Sequence, residues 1–399
     1  SALFVDGHSH FQWHPEMMFK DAEMQTHYLK DLVTPVNPTS AYSYLNYLAQ
    51  NQMFYSFLNT QRSHLTRREF ELYGQWVAHQ LGSLLKFNTK AEEVHFNETS
   101  QSFEIQTTQG IFESKNLCIA TGLSPRVPTF AKHHLGPNVF HAKSGHLKNL
   151  NLEGKSVAII GGGQTGVEVF RNTVKGTWGN PSEVRLVTRR KNLEPLDESA
   201  FINEYFTPQY VDDFWNLSQK KKEQIVNDQK LASDGNTPTY LLDLYRDLYQ
   251  LKIVEKDPRP VEILAFRTLQ DLRPSHDSYQ LKFLNQFQDQ VEELKVDKVI
   301  LCTGFQTQTP KILAPLLDRI PRDEEGRFHF KKSYSIEWEG PENRKIYALN
   351  FSRHNHGIMD PQMSLMAWRS AVVINDLVGH EVYQTQSPTQ NFVTYQDLQ

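Results

Sequence analysis

The chain reads as an α/β protein built from two Rossmann-like dinucleotide-binding domains, and three features of its sequence carry that reading. Residues 156–166, Ser-Val-Ala-Ile-Ile-Gly-Gly-Gly-Gln-Thr-Gly, form an apolar strand that runs straight into a Gly-x-Gly-x-x-Gly turn. Residues 103–128 and 279–305 resemble each other: each is an alternating hairpin stretch followed by a buried strand ending in Thr-Gly, at Thr121-Gly122 and Thr303-Gly304. A repeated unit implies two domains of one kind. The chain also opens Ser1-Ala2-Leu3-Phe4-Val5-Asp6. That is a short apolar strand ending at the acidic position that bonds a ribose hydroxyl in such folds.

In the first unit, Leu3–Asp6 is read as a second strand. The glycine turn belonging to it is expected about twenty residues earlier. On this reading the first strand, glycine loop and helix of the unit are absent from the chain. The alternative is that Leu3–Asp6 is an N-terminal edge strand. Upstream of each hairpin lies another short strand, Ala91–Phe96 in the first unit and Val261–Phe266 in the second, and the two are matched.

In the second unit, Val157, Ile159 and Ile160 suit a parallel strand covered on both faces. Gly161 permits the tight turn, Gly163 lets the backbone approach a pyrophosphate, and Gly166 lets the helix pack close to the strand. Gly162, Gln164 and Thr165 complete the loop, whose following helix offers free N–H groups and a positive dipole end to phosphates. A second strand, Glu183–Thr188, is followed by Arg189, Arg190 and Lys191 where an NAD site would place an acidic residue. That cluster suits a 2′-phosphate and favours NADPH over NADH; the competing reading is a solvated basic loop.

Composition sets outer limits. The chain has 399 residues, a formal charge of −4 and two cysteines. Length allows two or three domains, and mixed charge argues against nucleic-acid binding. No apolar run is long enough to span a membrane, and no signal peptide is visible, so a cytoplasmic protein is expected. Cys118 and Cys302 both lie in apolar strands and are expected to be buried, reduced thiols. The histidines show no metal-ligand spacing.

Several segments together resemble one family. They are Trp13-His14-Pro15-Glu16-Met17, Met24 to Leu32 (Met-Gln-Thr-His-Tyr-Leu-Lys-Asp-Leu), Pro38-Thr39-Ser40, Tyr44–Leu48, Arg67–Phe70, Asn203-Glu204-Tyr205-Phe206, the Asp297 to Phe305 stretch, His356–Asp360 and Trp368-Arg369-Ser370. By these motifs the chain resembles the siderophore-biosynthesis N-hydroxylating flavoprotein monooxygenases, of the lysine N6-hydroxylase and ornithine N5-hydroxylase type. Leu231–Gly235 is nearer the lysine and diamine branch.

The resemblance implies FAD in the first unit and NADPH in the second. A C4a-hydroperoxyflavin, formed with dioxygen, would pass one oxygen to the unprotonated terminal amine of a small amine such as lysine, cadaverine, putrescine or histamine. It implies a flavin-side amide at Gln25 and a substrate-carboxylate grip at Lys30. Asn203, Glu204, Tyr205, Phe206 and Ser364 would face the substrate. Asp6, Trp13, His14, Val94, Thr121, Gly122, Pro361, Gln362 and Met363 would border FAD. Ser233, Asp234 and Gly235 would sit at the nicotinamide ribose, with Gln25, Asn203 and Asp234 nearest the chemistry. Each assignment has an ordinary competitor: Lys30 as an exposed helix lysine, 203–206 as an interdomain loop, 233–235 as a plain turn. Members of the family are often homo-oligomers.

The expected layout is an FAD domain over roughly 1–150 and 310–399, and an NADPH domain over 151–309. A helical insertion at about 196–250 is expected to cover the substrate. Two other readings stay open: a flavin monooxygenase of the sulfur-oxidising or Baeyer–Villiger kind, and a non-catalytic NADPH-binding remnant.

Overall fold

A computed structural model describes residues 2–386 and 392–395. The first unit opens with β1 (Phe4–Val5), β2 (Glu23–His27), α1 (Tyr44–Gln50), α2 (Phe54–Leu58), β3 (His64–Thr66), α3 (Arg67–Leu81) and β4 (Leu85–Lys86). Strand β2 pairs antiparallel with β3, with Glu23 opposite Thr66. The next residue begins α3, because Thr66 caps it. The Thr66 hydroxyl accepts from the Glu69 N–H, and the Glu69 carboxylate accepts from the Thr66 N–H. Against this turn packs an aromatic cluster that includes Tyr44, Tyr47, Phe70 and Tyr73. A meander of β5 (Ala91–Asn97), β6 (Ser102–Thr107) and β7 (Gly110–Ser114) follows, then β8 (Leu117–Ile119).

The second unit is a five-stranded parallel sheet in the order β10 (Val139–His141), β17 (Lys298–Leu301), β11 (Ser156–Ile160), β12 (Glu183–Val187), β13 (Val261–Leu264). Val157, Ala158, Ile159, Val184, Leu186, Val299, Ile300 and Leu301 are fully buried, as a sheet covered on both faces requires. Helix α4 (Gln164–Val174) follows β11, and its buried face includes Val167, Val169 and Phe170. A second meander, β14 (Arg267–Ser275), β15 (Ser278–Asn285) and β16 (Gln290–Val296), leads into β17. After Thr121-Gly122 and Thr303-Gly304 the two repeats meet: β9 (Ser124–Pro125) pairs antiparallel with β18 (Phe305–Gln306).

Three expectations need correction. Ala91–Phe96 and Val261–Phe266 are not equivalent, since the former starts a meander and the latter supplies β13 at the edge of the parallel sheet. The boundary expected at 150 falls after β10, which hydrogen-bonds into the second unit's sheet through β17. Cys118 is exposed, unlike buried Cys302, because alternation in three-residue β8 turns Ile119 into the core and Cys118 away from it.

Between β12 and β13 the chain builds α5 (Pro208–Trp215), α6 (Gln219–Asp228), α7 (Lys230–Asp234) and α8 (Pro238–Tyr249). The C-terminal return brings β19 (Ser335–Ile336) and β20 (Ile346–Ala348) beside β8, the β20–β8 pair being parallel. Strand β1 pairs with β4 in a separate two-stranded parallel sheet, and among the described residues no strand joins that pair to β8. Helices α9 (Arg353–His356) and α10 (Met366–Val378) complete the return. Buried Asp360 ties them together, accepting from the Ser352 N–H at 2.8 Å and from the Arg369 guanidinium. Among the described residues no helix is long and apolar enough to cross a membrane.

Candidate active site

The glycine loop after β11 is shaped by contacts that exclude side chains. Gly161 has φ of +129°, and a Cβ there would lie 2.1 Å from the Cys302 carbonyl oxygen. At Gly166 a Cβ would lie 1.8 Å from the Gly161 oxygen, and at Gly162 2.5 Å from the Thr188 hydroxyl. A Cβ at Gly163 would meet nothing within 4 Å. That open side lies at the N-cap of α4, where no side chain caps the helix. Free N–H groups facing open space fit a pyrophosphate. The Thr165 position lies in the first turn, while the Gln164 side chain turns inward, as described below.

The segment 233–237, where α7 gives way to α8, is held from every side. The Ser233 hydroxyl accepts from Arg353 at 3.2 Å, and its carbonyl from Gln362 at 3.3 Å. The Asp234 carbonyl accepts from Arg190 at 2.8 Å, and its carboxylate lies 3.6 Å from Arg353. Buried Gly235 passes so close to the chain at Pro195–Leu196 that a Cβ would lie 2.3 Å from the Leu196 Cα. The buried Asn236 amide donates to the carbonyls of Gly162 and Glu194, each at 3.0 Å. Thr237 donates its N–H to Gln164 Oε1 at 2.8 Å. Asp234 therefore stands among cations on the nucleotide side. Lys230 belongs to the same group: burial pushes its pKa down first, and Arg189, Arg190 and Arg353 add to that against the pull of Asp234. Arg189 is exposed, and Arg190 and Arg353 each keep a buried nitrogen with no partner among the described residues. Unsatisfied guanidinium nitrogens in a crowded cationic cluster fit a phosphate.

On the first unit's side, the Gln25 amide donates to Thr237 Oγ1 at 3.2 Å and to the Gly235 carbonyl at 3.4 Å. The Trp13 backbone N–H donates to Glu71 at 3.1 Å, and the ring packs edge-on against Phe70 with its Nε1 buried and, among the described residues, unpartnered. His14 keeps exposed surface, and loss of hydration pushes its pKa down to about 4, with Arg67 and then Lys143 adding to that. Asp6 follows β1 and accepts from His8. Val94 is fully buried in the core, opposite Ile105 in the β5–β6 pair. Thr121 is exposed and Gly122 has φ of +73°. Pro361, Gln362 and Met363 are half-buried beside this region, and Gln362 reaches the Ser233 carbonyl. An orphaned indole N–H, a neutral imidazole and an amide edge are groups that a flavin's carbonyls and ring nitrogens can satisfy, so these residues fit FAD.

Next to Gln25 lies a small cavity lined by Thr26, Tyr28, Lys30, Phe70 and Met363. Lys30 is half-buried there, and burial lowers its pKa. Among the described residues it has no carboxylate partner. Neighbouring Asp31 is taken up by the N–H groups of Val33, Thr34 and Tyr44 and by the Thr34 hydroxyl. Ser364 is half-buried beyond Met363. The 203–206 segment divides: Asn203 is exposed with its amide on the Glu198 carbonyl, and Glu204 and Tyr205 are half-buried. Phe206 is packed into a core cluster with Tyr210, Phe214 and Trp368, so its ring serves packing and not a small amine.

Sequence reasoning missed Lys230, Asn236, Thr237, Arg353 and the pair Arg67–Glu168. Glu168 alone left a signal, a carboxylate set between Val167 and Val169 in a helix that packs on the sheet.

A family model described as L-lysine 6-monooxygenase/L-ornithine 5-monooxygenase matches residues 1–307. The chain is 38% identical to the L-lysine N6-monooxygenase of Escherichia coli, covering 97% of this chain and 90% of that protein. It is 28% identical to a putrescine N-hydroxylase of Shewanella oneidensis, covering 97% and 78%. Its fold matches, with a TM-score of 0.90, 26% identity and coverage of 99% and 93%, an Erwinia amylovora cadaverine monooxygenase of desferrioxamine biosynthesis solved with FAD.

Proposed function

The chain belongs to the L-lysine 6-monooxygenase/L-ornithine 5-monooxygenase family, and from that premise we propose that it hydroxylates the ε-amine of L-lysine, with FAD and NADPH as cofactors, in hydroxamate siderophore biosynthesis. The reading of the substrate rests on Lys30, a half-buried cation on the wall of the small cavity, with no carboxylate partner among the described residues. A free α-carboxylate supplies the missing counter-charge; a diamine does not. The higher identity to a lysine enzyme than to a putrescine enzyme points the same way.

The cofactors supply two electrons and activated dioxygen, so that the amine gains one oxygen atom and the other leaves as water. The chain's own residues bind, orient and exclude water. Lys30 would fix the carboxylate end of the substrate and leave the amine end free to reach the flavin. The Gln25 amide N–H groups hold Thr237 and the Gly235 carbonyl, so its carbonyl oxygen is the end that can accept a hydrogen bond without bringing a titrating proton into the site. Phe70, Tyr28 and Met363 keep the cavity wall apolar, which strengthens the Lys30–carboxylate attraction. Arg189, Arg190, Lys230 and Arg353 would hold the 2′-phosphate of NADPH, and the need for NADPH fits a cytoplasmic enzyme.

The test is NADPH-dependent hydroxylamine formation with lysine, ornithine, cadaverine, putrescine and histamine. Lysine is expected to be preferred. Lys30→Met is expected to lower kcat/KM for lysine about 100-fold, the scale of one charge-assisted hydrogen bond lost in a dry site. The same variant should turn over cadaverine within about threefold of the parent, since no carboxylate is held. Turnover of cadaverine without lysine by the parent enzyme would overturn the carboxylate role.

A further inference from the structure

Gln25 does not stand alone. Its amide donates to Thr237 Oγ1 at 3.2 Å, and the N–H of the same threonine donates to Gln164 Oε1 at 2.8 Å. The other end of the Gln164 amide donates to Glu168 Oε1 at 2.8 Å. Glu168, fully buried, accepts both ends of the Arg67 guanidinium at 2.7 Å each. Arg67 is the first residue of α3 and directly follows β3, which pairs with β2, the strand carrying Gln25. The circuit is therefore closed. It leaves the first unit at Gln25, crosses the second through Thr237, Gln164 and Glu168, and returns at Arg67.

Gln164 occupies the pivotal place in this circuit. It is the first residue of α4, so its backbone lies at the uncapped helix N-terminus that suits the pyrophosphate. Both ends of its side-chain amide are committed, which fixes the amide's orientation. One residue thus faces the nucleotide with its main chain and the flavin-side amide with its side chain.

We propose that Gln164 is a positioning residue for Gln25: through Thr237 it ties the placement of the Gln25 amide to the glycine loop, so that the loop's occupancy by nucleotide governs how Gln25 is presented to the flavin. This rests on the reading of Gln25 as the flavin-side amide. Glu168 and Arg67 hold Gln164 in turn. The function served is coupling, since reducing equivalents drawn from NADPH give hydroxylamine only while the amide is correctly placed, and give hydrogen peroxide otherwise.

The experiment uses the purified holoenzyme, the single variants Gln25→Ala, Gln164→Met and Thr237→Val, and the double variant that combines Gln164→Met with Thr237→Val. Two readouts are taken: hydroxylamine formed per NADPH consumed, and the change in the flavin's visible absorption band on titration with NADP⁺. Gln164→Met and Thr237→Val should each cut product per NADPH about fivefold, with the KM for NADPH changed less than about threefold, as expected when one neutral hydrogen bond is lost. Both should lose the NADP⁺-induced spectral change, and the double variant should be no worse than the poorer single one, because the two lie on one path. If both variants lower only thermal stability, with product yield and spectral change intact, the contacts are structural and the proposal fails. If Gln25→Ala itself leaves the yield intact, the assignment of Gln25 fails, and the result is separable from failure of the relay.

Discussion

Four cations converge on Ser233 and Asp234 from three distant parts of the chain: Arg189 and Arg190 after β12, Lys230 in α7, and Arg353 in α9. Two acidic side chains lie among them, Asp234 at 3.6 Å from Arg353 and Glu194 at 3.7 Å from Arg190. Like charges gathered so closely repel, and the lowered pKa of Lys230 is partly that repulsion. A 2′-phosphate carrying nearly two negative charges at neutral pH relieves it. Arg353 is the informative member, because it comes from the C-terminal return and no local pattern marks it. Arg353→Met is expected to raise the KM for NADPH about tenfold and to leave that for NADH within about twofold, the weight of one charge-assisted contact to phosphate. Steady-state kinetics with both nucleotides decide the matter. An equal effect on the two would mean that Arg353 acts by holding Ser233 in place and not by meeting the phosphate.

At the scale of elements, β11, the glycine loop and α4 make a single device in which the glycines have separable duties. Gly163 has φ of −87° and open space around its missing Cβ. Alanine there is compatible with the backbone and intrudes only where a pyrophosphate would lie. Gly166→Ala would instead place a methyl 1.8 Å from the Gly161 oxygen and push α4 off the sheet. Gly163→Ala should therefore keep its Tm within about 2 °C of the parent while NADPH affinity falls at least about tenfold. Gly166→Ala should lower Tm by several times that shift, from overpacking. A thermal melt and a nucleotide titration on each variant check the pair, and loss of stability in Gly163→Ala would contradict the assignment of its open face. This device was legible in the sequence because its signals are local: an apolar run, three glycines at fixed spacing, and a basic cluster one strand later. The segment 233–237 was legible only as a ribose-side turn. Its partners include residues 25, 162, 164, 190, 194, 196, 353 and 362, and no spacing rule links positions that far apart. The mismatch of Ala91–Phe96 with Val261–Phe266 has a similar cause, since a meander strand and an edge strand of a parallel sheet show much the same short alternation.

At the scale of the whole molecule, the two units are joined through one face of α4. Glu168 receives Arg67 from α3, and one turn later Arg171 receives Asp21 of the first unit at 2.9 Å and Asp247 of α8 at 2.6 Å. The helix presents a negative group and then a positive one, each met by its opposite, so a slip of one turn would bring like charges together. Such paired polarity specifies register. Of the two pairs, Arg67–Glu168 is the more deeply set, with side-chain exposures of 13% and 0%. Burial pushes the Glu168 carboxyl up in pKa while Arg67 and Gln164 pull it down, so the pair is held as much by satisfied hydrogen bonds as by charge. Glu168→Ala strands a buried guanidinium and should cost about 3–5 kcal/mol of unfolding free energy. Replacing both partners, with Arg67→Met and Glu168→Met, removes the stranded charge as well as the pair, and should recover most of that loss. Urea unfolding of the two single variants and the double variant makes the comparison. Recovery in the double variant, accompanied by a lasting fall in hydroxylamine per NADPH, would separate the two duties of the pair, since stability then returns while the register that places Gln164 does not. If the double variant is as unstable as Glu168→Ala, the pair is a net stabilising contact and its retention needs no appeal to register.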